Sequence, residues 1–106
     1  MEWDIKIWED GSSREAVWKN TSFSYSNGCA RFFIHDFANG MEYEFWVDLS
    51  KEDTAVLFDK LGLAGLDEEQ AHPIVLDKIP NNQREYEKLC KSFGLNPTTG
   101  SWVTTE

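Results

Sequence analysis

The chain is short of positive charge. Ten Lys+Arg stand against nineteen Asp+Glu, giving a net charge of −9 and a pI near 4.6. Residues 1–50 hold nine acids and four bases, and residues 51–106 hold ten and six, so the acidity is not a solvating tail. Contact with a phosphate backbone needs a basic face. None is encoded, so no direct nucleic-acid partner is expected. A basic partner is better served, although a net charge away from zero also serves plain solubility. The opening "MEWDIKIWED" is charged throughout and lacks the basic start and apolar run of a secretion leader. No stretch approaches the roughly 20 apolar residues of a membrane-spanning helix. A cytoplasmic chain without a membrane partner is therefore expected, with its two cysteines, Cys29 and Cys90, as reduced thiols.

The usual chemical motifs are missing too. There is no C-x₂-C, no H-E-x-x-H and no calcium loop, so no metal or other cofactor is predicted. There is no glycine-rich phosphate loop and no G-x-S-x-G elbow. His35 and His72 are the only histidines. His35-Asp36 could be read as a base and its orienting acid, but no nucleophile is marked nearby, and a surface histidine at a strand end is the simpler reading. The acids of "DEE" at 67–69 suit the first turn of a helix. Residues 89–103 loosely follow a helix-turn-helix outline. Their second segment carries Pro97 and Gly100, and Lys88 and Lys91 alone do not make a DNA-reading surface. The chain is expected not to be an enzyme.

What is present fits one domain over residues 1–106, near the modal domain size. Hydrophobic residues make up 41% and aromatics 14%, with five Trp and seven Phe, enough for a dense core with rings left over. The first half alternates with a period of two, the strand signal. "WDIKIWED" sets Trp3, Ile5 and Ile7 against Asp4, Lys6 and Trp8, and "GSS" at 11–13 reads as a turn. A strand over 14–19 follows, continued or succeeded by "SFSYS". Asn27-Gly28 is a strong hairpin signal, because both residues tolerate positive φ. "CARFFIH" is a further strand, "DFANG" at 36–40 a longer turn, and "MEYEFWVDL" the last strand of the set.

The second half reads as helices. Ser50 with Asp53 resembles a capping box, and Gly62-Leu63 closes that helix. Tyr86, Leu89, Cys90 and Phe93 share a stripe on a second helix, closed by Gly94-Leu95, and Cys90 is expected in the core. Between them, Asp67 could cap a short helix, but Pro73 argues against its continuing. "SWVTT" could form an edge strand. The fold class expected is α+β: an N-terminal antiparallel meander of about four strands with two C-terminal helices packed on one face.

The helix-covered face should hold Trp3, Ile5, Ile7, Met41, Tyr43, Phe45 and Val47. The opposite face should hold Asp4, Lys6, Trp8, Glu42, Glu44, Trp46 and Asp48. Two tryptophans would then stand among charges. They could simply cover the sheet, or lie beneath the 66–80 segment or the tail. The functional reading makes Trp8 and Trp46 anchors of a protein-binding face, with Asp4, Glu42, Glu44 and Asp48 steering a basic partner. The chain is thus expected to be a small acidic cytosolic protein that inhibits or neutralises a protein partner, one that handles nucleic acid. Toxin immunity and phage anti-defence both fit, with carboxylates standing in for phosphates as a nucleic-acid mimic. Two alternatives differ in class. One is a small α+β ligand-binding or enzymatic domain using His35, Asp36, Tyr25 and Arg31. The other is a homodimer built through the Trp8/Trp46 face.

Overall fold

A computed structural model describes residues 1–12, 17–38 and 40–105. Five strands form one antiparallel sheet in the order β1-β2-β3-β4-β5, and three helices stand between β4 and β5 in the chain. The strands are β1 (Trp3–Ser12), β2 (Val17–Ser26), β3 (Cys29–Ala38), β4 (Met41–Asp48) and β5 (Thr98–Thr105). The helices are α1 (Lys51–Leu61), α2 (Glu68–Lys78) and α3 (Gln83–Ser92). The class is α+β as the pattern implied, with one more strand and one more helix than the outline of four and two.

Local chemistry explains most element ends. Asn27 and Gly28 take φ of 54° and 81° and pair Ser26 with Cys29 across a two-residue turn, the tight primed geometry that an Asn-Gly pair favours. Ser50 caps α1 by accepting from the Asp53 N–H at 3.1 Å, and Asn82 caps α3 by accepting from the Glu85 N–H at 2.9 Å. The two helices close alike: Leu63 N–H donates to Phe58 O at 2.8 Å, and Leu95 N–H to Cys90 O at 3.0 Å.

β2 runs unbroken from Val17 to Ser26, so "SFSYS" continues the strand before it; residues 13–16, including the end of the expected 11–13 turn, lie outside the described residues. Two expectations need correction. The turn placed at 36–40 is shorter, because Asp36 and Phe37 pair with Tyr43 and Glu42 within the sheet. Pro73 does not stop α2, which runs through it to Lys78. A capping box between Asp67 and Gln70 fixes the helix start, and Ala71, Val75 and Ile79 bury one stripe while Pro73 stays on the exposed side. The residues after the α3 turn form β5, so the chain has no second helix of a helix-turn-helix there.

All three helices lie over one face. Phe58 of α1 stacks on Trp3 at 5.7 Å and meets Tyr25 at 4.8 Å. Tyr86 of α3 stacks on Phe32 at 4.6 Å. Thr54 accepts from the Ala30 N–H at 2.9 Å, tying α1 to the middle of the sheet. Cys90 is fully buried in this core, as its stripe implied. A ten-residue strand spans about 33 Å, whereas an 11-residue helix spans about 16 Å, so the helices cover only one end of the sheet. Trp3, Ile5 and Val47 are buried at the covered end, Ile7 and Phe45 are half-buried, and Met41 and Tyr43 stay 48% and 39% exposed at the other.

Candidate functional site

The face away from the helices is set by pleat and register. Four rows cross it: Asp4–Ser24–Arg31–Asp48–Thr98, Lys6–Ser22–Phe33–Trp46–Gly100, Glu9–Asn20–His35–Glu44–Trp102, and Phe37–Glu42–Thr104. Segment 66–80 joins the core on the other side through Ala71, Val75 and Ile79. Among the described residues no helix covers this face.

Five of the six expected site residues share it: Asp4, Glu42, Glu44, Trp46 and Asp48. Trp8 does not. The ladder pairs Lys6 with Ser22 but Trp8 with Thr21, leaving Ile7 as an extra residue. This β-bulge resets the alternation and puts Trp8 on the helix side. There it adjoins Thr21, Ile34 and Asn81, 37% exposed. Trp8 and Trp46 therefore lie on opposite faces of the sheet and do not share one surface.

Trp46 owes its place among acids to fitted neighbours. Arg31 lies over its ring, guanidinium carbon 5.3 Å from the centroid, and Gly100 leaves room for the indole on β5. Arg31 also donates twice to Asp48, at 2.6 and 2.8 Å, which pushes the guanidinium pKa up, the hydrogen bond outweighing the loss from burial. Asp48 is thus already satisfied internally. Trp102 of β5 also stands on this face, 62% exposed, and is not among the expected site residues. Its signal was present: Trp102 alternates with Ser101 and Val103 in the stretch suspected to be an edge strand.

The register also gathers a group the motifs did not reveal. His35 sits opposite Glu44, with Glu42 two residues along β4 on the same face. His35 Nε2 lies 2.5 Å from Glu42 Oε1 and 3.9 Å from Glu44 Oε1. Phe33 meets the imidazole edge-on at 6.0 Å.

The alternative set of His35, Asp36, Tyr25 and Arg31 is divided by the sheet. Tyr25 and Asp36 belong to the helix side, and Arg31 and His35 to the open face. Asp36 borders the hollow lined by Trp8, Lys19, Thr21 and Ile34, where burial pushes its pKa up against the opposing pull of Lys19 and His35. No helix among the described residues is long and apolar enough to cross a membrane. No known family model matches the chain, and neither a curated protein nor a solved structure is significantly similar to it. The functional reading therefore rests on this chain's own geometry.

Proposed function

We propose that this is a cytosolic binding protein whose open sheet face docks on a basic protein that handles nucleic acid and neutralises it. The observation that carries the reading is an uncovered face with Trp102 62% exposed beside Glu44, in a chain of net charge −9. Among the described residues the face holds the carboxylates of Asp4, Glu9, Glu42, Glu44 and Asp48 against Lys6 and Arg31. Such a surface suits a site that otherwise accepts a polyanion: carboxylates steer the encounter, and a large flat ring supplies desolvated contact. Trp102 and Trp46 are the anchors, and Glu9, Glu42 and Glu44 the steering charges. Asp48 acts by holding Arg31 over Trp46. Immunity against a nuclease toxin and blockade of a defence nuclease are both roles of this kind.

The test has two stages. Host proteins retained by the wild-type chain, but not by a Glu42→Lys, Glu44→Lys, Trp102→Ala variant, are captured after nuclease treatment. The retained protein is then purified and its action on nucleic acid assayed with and without this chain. Stoichiometric inhibition by wild type, lost in the variant, supports the reading. A retained protein that works equally well in the presence of this chain overturns it.

A further inference from the structure

We propose that His35, Glu42 and Glu44 form a binding site for a divalent transition cation, with Zn²⁺ the best match. One ligand atom from each residue lies within 4.8 Å of the other two. Bonds of about 2.1 Å at tetrahedral angles place donor atoms roughly 3.4 Å apart. The His35–Glu42 separation of 2.5 Å must therefore widen and the His35–Glu44 separation of 3.9 Å narrow, each by less than a side-chain rotation supplies.

The donor chemistry selects the ion. One imidazole nitrogen with two carboxylate oxygens suits Zn²⁺, Co²⁺, Mn²⁺ or Fe²⁺. Ca²⁺ and Mg²⁺ prefer oxygen donors throughout, and no thiolate is present to favour soft Cu(I). Two carboxylates match the double charge of the ion. Among the described residues neither carboxylate has a Lys or Arg within ion-pair distance.

The scaffold favours preorganisation. β3 and β4 both have neighbours on each side in the sheet, so the donors stand on fixed backbone rather than on a loop. Phe33 restricts the imidazole, and Trp102 stands directly across from Glu44. With three protein donors the remaining coordination position faces outward, open to water or a donor from another molecule. The competing account is a hydrogen bond between His35 and Glu42 with no ion involved. Metal affinity is a property of the isolated chain, so this proposal does not rest on the docking reading.

The experiment titrates the purified full chain with Zn²⁺ by calorimetry and with Co²⁺ by visible absorption, checking each variant's fold by circular dichroism. One equivalent of either ion is expected to bind, with a Co²⁺ ligand-field band and a rise in Tm. His35→Asn and the Glu42→Gln, Glu44→Gln pair should each weaken Zn²⁺ binding by at least about tenfold, on the scale that even supporting residues of metal sites reach. His72→Asn, which alters the only other histidine, should leave it unchanged. If His35→Asn does not fold, the glutamine pair, placed on partly exposed side chains, carries the test. Absence of saturable binding in wild type, or undiminished binding in the folded variants, overturns the proposal.

Discussion

The indole of Trp46 occupies the space a side chain at Gly100 would need. A Cβ built on Gly100 would come within 2.6 Å of Trp46 Cζ2 and closer still to Nε1. Gly100→Ala should therefore displace the ring from beneath Arg31 and destabilise the fold by about 1–3 kcal/mol, the range for overpacked sites. Urea denaturation measures the loss. The same substitution in a Trp46→Ala background should be nearly neutral, giving a coupling energy of roughly 0.5–3 kcal/mol between the two positions. Equal effects in both backgrounds would show that the ring does not depend on the glycine.

Pro73 offers a stability gain. It has no N–H to donate to the Glu69 carbonyl one turn earlier, and it sits inside α2 rather than in the first position, where that loss is harmless. Its exposure lets water reach the orphaned carbonyl, which limits the damage. Pro73→Ala restores the bond but frees the unfolded chain, an opposing effect of about 0.4–1 kcal/mol. A net gain of about 1–2 kcal/mol in unfolding free energy is expected, because the interior-proline penalty is the larger. A loss of stability on substitution would mean that α2 needs the proline's fixed φ.

The legibility of this fold followed the locality of its signals. Asn27-Gly28, the Ser50 cap and the Gly62-Leu63 and Gly94-Leu95 endings could be read because each depends on a few adjacent residues. The bulge at Ile7 could not. "WDIKIWED" alternates without a break, and only the pairing with β2 shows that one residue is surplus. The cation site was hidden for a related reason. A turn spread over 36–40 would set His35 against Met41. The observed pairing of Ala38 with Met41 sets it against Glu44. Pro73 misled in the other direction, since a cap and three buried side chains outweigh one missing hydrogen bond. Exposure of Met41 and Tyr43 follows from helix length, which period-two alternation does not encode.

The two faces should separate in binding. Trp102 on the open face is the proposed anchor, whereas Trp8 lies on the helix side. Trp102→Ala should weaken binding to the captured partner by about 2 kcal/mol or more, mostly through faster dissociation. Trp8→Ala should change it by less than about 0.5 kcal/mol, the usual scale for a surface change outside an interface. Glu42→Lys with Glu44→Lys should slow association, with the contrast to wild type fading as salt rises. Surface plasmon resonance at two ionic strengths reads all of these. Equal losses from Trp8→Ala and Trp102→Ala would place the contact elsewhere.

Asp36 should make stability depend on pH in an unusual direction for an aspartate. Its Oδ1 is buried without a hydrogen-bond partner, and burial raises its pKa above the ordinary aspartate value despite Lys19 across the ladder. A raised folded pKa means that the fold prefers the protonated acid. The associated stability is complete below the unfolded pKa and is lost as pH rises through the folded pKa. Asp36→Asn keeps the shape, does not ionise and offers an amide in place of the unpartnered oxygen. The Asn variant should therefore be the more stable protein at neutral pH. Its advantage should shrink as pH falls through the window between the raised and the ordinary aspartate pKa. Chemical denaturation of both proteins at a series of pH values tests this. An advantage that grows on acidification would mean that Asp36 is held by an ion pair with Lys19, since a depressed pKa reverses the sign.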